Sequence, residues 1–135
     1  MDESGRSGFG HDTTTDEVLQ GIELAGSLAL VTGGSSGLGA ETARALASRG
    51  ARVVLTARDM AKGEEVARGI RSSTGNTDVE VEELELGSLA SIRSFAGRFL
   101  DRHDALQILV NNAGVMACPH EKTADGFELQ FGTNH

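Results

Sequence analysis

Eight residues, Thr32-Gly33-Gly34-Ser35-Ser36-Gly37-Leu38-Gly39, join an aliphatic run, Leu28 to Thr32, directly to an alanine-rich amphipathic stretch, Leu38 to Arg49. Few folds pass from strand to helix through a turn of this composition. Gly33 suits a tight turn off the strand, Gly37 lets a ligand approach the backbone with no Cβ in the way, and Gly39 lets the helix lie close to the sheet. Free amides at the helix start, with the positive end of the helix dipole behind them, would then hold an anion such as a pyrophosphate.

The rest of the chain repeats the strand-then-helix rhythm. Strands are expected at Leu28 to Thr32, Arg52 to Thr56, Asp78 to Leu84 and Leu106 to Asn111. Between them, Leu38 to Arg49 places Leu38, Thr42, Ala45 and Leu46 on one side. Met60 to Ser72 does so with Met60, Val66, Ala67 and Ile70, and Leu89 to His103 with Leu89, Ile92, Phe95 and Phe99. All three read as core-facing helices. In the third strand Val79 and Val81 alternate with Glu80 and Glu82, then the phase slips, which predicts a bulge or strand end near Glu83; the acidic residues read as a solvated face. Right-handed crossovers predict an α/β fold with parallel strands in the order 3-2-1-4, the N-terminal half of a doubly wound sheet whose crevice opens between strands 1 and 4.

Residues 1–20 read as a flexible N-terminal tail, rich in Gly, Ser and Asp to about position 13. Thr14 and Glu17 then fit a capping box for a short helix through Gln20. The ordered domain is expected over 21–135.

Composition narrows the partners. A net charge of -8 argues against nucleic acid, whose phosphates need a cationic surface. The longest apolar runs are too short for a membrane span. A single cysteine, Cys118, with no Cys/His cluster at metal-ligand spacing, suits a reduced, cytoplasmic setting and no metal. Cys118 reads as a small loop residue, and His103 as a cation favoured at a helix end.

At the tip of the second strand, Leu55-Thr56-Ala57-Arg58-Asp59 has alanine where an acidic residue would bind the 2′-hydroxyl of NAD. Arg58, nineteen residues past Gly39, offers a planar fork for a 2′-phosphate. NADP(H) is therefore favoured over NAD; the alternative is a surface arginine paired with Asp59 or Glu64.

The TGxxxGxG spacing at Thr32 to Gly39, with Asn111-Asn112-Ala113-Gly114 after the fourth strand, resembles the short-chain dehydrogenase/reductase family. Ala57 to Asp59, Asn111 to Ala117 and Asp125 to His135 are similar to its retinol dehydrogenase and WW-domain oxidoreductase-like branch, which is mostly NADP(H)-linked. The resemblance implies an incomplete NAD(P)-binding Rossmann domain over 21–135. By it, Gly33, Ser35, Ser36, Gly37, Leu38 and Gly39 line the pyrophosphate, and Arg58 meets the adenosine phosphate. The Asn111 to Gly114 turn, with Asn111, Ala113 and Gly114 at the cofactor, flanks the adenosine ribose and steadies the sheet. Glu85 stands where the family usually has Asp, keeping a carboxylate for the adenine with one more methylene. Asn134 matches the Asn of the family's catalytic Asn-Ser-Tyr-Lys set.

In that family a tyrosine, its pKa lowered by a nearby lysine, is the general acid/base for hydride transfer between the nicotinamide and an alcohol or carbonyl carbon. This sequence has no tyrosine. The expectation is the cofactor-binding part of an NADP-dependent oxidoreductase whose full-length form takes a small alcohol or carbonyl substrate, the 135 residues alone being inactive. The alternative is a short, non-catalytic nucleotide-binding or protein-interaction module, a truncated relic. The state of oligomerisation is open.

Overall fold

The structure, a computed structural model, describes residues 7–135, so the first part of the expected tail, 1–6, lies outside the described residues. Elements run α1 Thr15–Val18, β1 Leu28–Val31, α2 Gly37–Ser48, β2 Arg52–Ala57, α3 Met60–Thr74, β3 Val79–Glu83, α4 Leu89–Arg102, β4 Ile108–Val110 and α5 Leu129–Asn134. The strands pair in parallel in the expected order, β3-β2-β1-β4. In the central register Leu30 faces Val54 on one side and Leu109 on the other.

Side-chain alternation splits the core into two layers. On one face Ala29, Val31, Val53, Leu55 and Val79 pack under Ala43, Leu46 and Ala47 of α2 and Ala67 and Ile70 of α3. On the other, Leu28, Leu30 and Val54 meet Phe95 and Phe99 of α4. Because both faces of β1 and β2 are covered, their residues are almost all buried, as a parallel central strand requires.

Three readings of helix and strand faces change. In α2 the expected Ala45 and Leu46 are buried, together with Gly39, Ala43 and Ala47, while Leu38 is 81% exposed. Leu38 sits in the first turn and lines the cleft formed by the turns after the strands. Met60 and Leu89 open their helices in the same way and are exposed too.

The acidic strand is the second change. β3 does end at Glu83, which is exposed as expected, but the carboxylates of Glu80 and Glu82 are not a solvated face. Glu82 is buried, bonded by Arg102 at 2.8 Å with Arg98 at 3.6 Å, and Glu80 is bonded by Arg52 at 2.9 Å and Arg102 at 2.7 Å. Arginines from β2 and α4 thus compensate the charge that alternation put on the sheet. Burial pushes the Glu80 carboxyl up, but the Arg52 hydrogen bond and the Arg102 charge outweigh it and hold the group below the usual range.

His103 is the third. It caps α4, but its imidazole is buried with its centroid 4.5 Å from that of Phe99, and Nε2 has no partner among the described residues. With Glu80 and Glu82 it forms a set of potential metal ligands that the sequence spacing did not reveal, within 4.8 Å of one another. Both carboxylates are already committed to arginines, so the cluster is an ion-pair network.

The capping box at Thr14 and Glu17 is formed, and α1 is shorter than expected, ending at Val18. It is docked on α2: Arg44 bonds Asp16 at 2.9 Å and Glu41 at 2.8 Å, and Thr15 donates to Glu41. That part of the N-terminal segment is a clasped helix.

Candidate functional site

All four strands run the same way, so the turns that follow β1, β2, β3 and β4 emerge at one end of the sheet. They enclose a cleft of about 390 Å³. The strand order reverses between β1 and β4, and this is where doubly wound sheets hold ligands.

Gly33 has a φ of +65°, and a Cβ there would lie 2.9 Å from Ala113 Cα, so the turn off β1 can approach the turn off β4 only with glycine. At Gly39 a Cβ would overlap the Gly33 carbonyl oxygen and reach within 2.5 Å of Asn112 Nδ2. The close contact expected at Gly39 is therefore with the turn and Asn112, which sit at the sheet's end. Gly37 opens into free space, where a ligand can lie against the backbone.

The two turns are stapled by Asn112. Its Nδ2 donates to the carbonyls of Thr32 at 3.1 Å and Gly33 at 3.2 Å, while the Thr32 hydroxyl accepts from Asn112 N and Ala113 N, both at 3.1 Å. The sequence pointed to Asn112 only as part of the Asn111 to Gly114 turn, expected to flank the ribose and steady the sheet, and did not single out Thr32. The paired-asparagine motif was the signal, and its second member performs the staple.

At the start of α2, Ser36 is the N-cap but makes no side-chain hydrogen bond, and no acidic residue lies in the first turn. The helix amides and the positive dipole end therefore face the cleft uncompensated, which favours an anion. By contrast Asp59, Ser88 and Glu128 each cap their own helix.

Gly33, Ser35, Ser36, Gly37, Leu38, Gly39, Arg58, Glu85, Ala113 and Gly114 all line the cleft, joined by Thr56, Ala57, Leu84, Leu86, Asn112, Val115 and Thr133. Asn111 is exposed and is not part of the lining. Asn134 also stands outside it. Its Oδ1 accepts from Val115 N at 2.8 Å and its Nδ2 donates to Val115 O at 2.8 Å, so both ends of the amide hold the loop after β4 against α5.

Arg58, 70% exposed in its side chain, pairs with neither of the expected surface partners. Asp59 accepts from Lys62 N, and Glu64 is bonded by Arg71. The nearest charge is Glu85, with Oε2 3.9 Å from Arg58 Nη1. Glu85 Oε1 is fixed by Gly87 N–H at 2.8 Å, and its backbone N–H donates to Ser91 Oγ. Thus one cationic and one anionic side chain face each other where β2 and β3 end. Among the described residues no helix is long and apolar enough to cross a membrane.

A glycine turn at an uncapped helix start, a cationic fork after β2 and a carboxylate after β3 form a surface complementary to a nucleotide with two or three phosphates. The short chain dehydrogenase family model matches residues 27–134. Retinol dehydrogenase 11 of mouse (Mus musculus) is 54% identical over 84% of this chain, which spans 36% of that protein's length. A crystal structure of a Mycobacterium paratuberculosis protein is 48% identical with a TM-score of 0.73, over 84% of this chain and 39% of that one. A metagenomic short-chain oxidoreductase solved in complex with NADP is 47% identical with a TM-score of 0.64, over 68% of this chain and 41% of that one. The chain therefore belongs to the short-chain dehydrogenase/reductase family.

Proposed function

We propose that the cleft binds NADP(H), as the cofactor-binding part of an oxidoreductase that moves a hydride between the nicotinamide and a small alcohol or carbonyl substrate. The observation that carries this reading is the uncapped start of α2 beside the Gly33 to Gly39 turn, with the Arg58 guanidinium at the far side of the same cleft. The amides of the turn and of the first helical residues bind the pyrophosphate, with Ser35 and Ser36 hydroxyls beside them. Arg58 offers parallel donors to a 2′-phosphate, and Ala57 stands in place of the carboxylate that would bind a free 2′-hydroxyl. Ala113 and Gly114 lie against the adenosine ribose, and Glu85 accepts from the adenine amino group.

The cofactor supplies or accepts the hydride when bound, and the chain's own residues position it. The family model and the retinol dehydrogenase relatives support an alcohol or carbonyl substrate. The NADP complex of a similar oxidoreductase supports the cofactor. Asn134 is a positioning residue: through Val115 it sets the loop that closes one side of the cleft. With no tyrosine, the 135 residues lack the family's proton donor, so this chain alone binds cofactor without turning over substrate. The single cysteine fits a reducing compartment such as the cytoplasm.

Calorimetric titration tests the reading. NADP⁺ is expected to bind one site per chain and more tightly than NAD⁺, and Arg58→Gln to lower NADP⁺ affinity about tenfold or more while NAD⁺ changes little. Equal affinities for the two cofactors, or an unchanged NADP⁺ affinity in Arg58→Gln, would overturn the assignment of Arg58.

A further inference from the structure

Arg58 and Glu85 come from the ends of neighbouring strands and face each other across the adenosine end of the cleft. The pair is loose: 3.9 Å separates Nη1 from Oε2, too far for a hydrogen bond, and both side chains are more than one-third exposed. The two partners are held very differently. Glu85 is anchored, with Oε1 accepting from Gly87 N–H at 2.8 Å and its own backbone N–H bonded to Ser91 Oγ at 2.9 Å. Its second oxygen is thereby left facing the guanidinium. Arg58 has no hydrogen bond among the described residues and no other carboxylate within ion-pair distance.

A carboxylate fixed in this position acts on a nucleotide in two ways. It attracts Arg58, which a 2′-phosphate must draw away, and its own charge repels that phosphate. Both effects weaken binding of a 2′-phosphorylated nucleotide, whereas a nucleotide with a free 2′-hydroxyl brings no charge there and leaves the pair intact.

We propose that Glu85 is a specificity-determining residue that competes with the 2′-phosphate for Arg58, holding down the chain's preference for NADP(H) over NAD(H). The proposal rests on the cofactor reading above and adds that this preference is limited by a residue of the next strand. Two exposed unit charges about 4 Å apart interact weakly in water and are screened by salt, so the effect is modest in size.

The test uses the complete chain with 2′,5′-ADP and 5′-AMP, which differ only in the 2′-phosphate, and reads the ratio of their affinities. Glu85→Gln keeps an acceptor for Gly87 N–H while removing the charge. It is expected to raise the ratio in favour of 2′,5′-ADP by about three- to tenfold at low salt. Glu85→Ala, which also gives up the Gly87 bond, is expected to raise it in the same direction and guards against a folding defect in one variant. In an Arg58→Gln background part of the gain, the part due to competition for the guanidinium, is lost. An unchanged or lowered ratio in both variants, with 2′,5′-ADP still binding, would overturn the proposal and leave the cofactor reading standing. Failure of the unmodified chain to bind either nucleotide would overturn both.

Discussion

Asn112 donates twice to Thr32, from Nδ2 to the Thr32 carbonyl and from its own backbone N–H to the Thr32 hydroxyl, so the two residues close a two-point clasp between the turns after β1 and β4. These turns form the floor of the cleft and contact each other through Gly33 and Ala113. Asn112→Ala leaves two carbonyls short of a donor and is expected to cost about 1–2 kcal/mol in chemical denaturation. Nucleotide binding is expected to weaken with it, because the glycine turn loses its support.

The pattern of strands and helices was legible in the sequence because apolar periodicity and glycine placement both report on the sheet directly. Strand order followed from the handedness of crossovers. What escaped was set by neighbours distant in sequence. Leu38 has the right helical phase for the core but lies in the first turn, at the cleft and exposed, which periodicity cannot reveal. Glu82 alternates like a solvent-facing residue, and only the approach of Arg98 and Arg102 on α4 buries it. Within the cleft, residue types with one obvious chemistry, such as the glycines and Arg58, could be placed from sequence. The division of labour between Asn111 and Asn112 could not, because it depends on which side chain points back toward β1.

Two glycines give opposite outcomes for one substitution. Gly69 lies inside α3 with open space at its Cβ position, so Gly69→Ala is expected to stabilise by about 0.5–1 kcal/mol through helix propensity. Gly39→Ala gains the same propensity but drives a methyl into the Gly33 carbonyl and the Asn112 amide. Overpacking against backbone costs about 1–3 kcal/mol, so the net effect is destabilising. Thermal melts of the two variants, side by side, check the sign.

The buried carboxylate of β3 predicts an asymmetry. Arg102→Ala leaves Glu82, 7% exposed in its side chain, with only the more distant Arg98, and is expected to cost about 2 kcal/mol. Glu83→Ala, one residue along and exposed, is expected to change stability by less than about 0.5 kcal/mol. Urea unfolding midpoints separate the two.

Acid is expected to release α1. Hydrogen bonds from Arg44 and Thr15 hold the Glu41 carboxyl at about 2, against a reference value of 4.5. A group depressed in the folded state contributes its stability above its unfolded pKa and loses it as pH falls through the folded one, so the clasp weakens between about pH 4.5 and pH 2. Glu41 is partly exposed, and solvent screening limits the contribution to about 1 kcal/mol or less. Protection of the Thr15 to Val18 amides, corrected for the pH dependence of intrinsic exchange, is expected to fall across this interval, and to fall less in Glu41→Gln, where the capping-box carboxylate of Glu17 still titrates.

Backbone amide NMR of the chain during an NADP⁺ titration tests the central claim most directly. The account predicts saturable shifts concentrated at Ser35 to Gly39, Arg58 and Ala113 to Val115, with the exposed face of α4 unmoved. Shifts centred elsewhere, or none at millimolar NADP⁺, would contradict it.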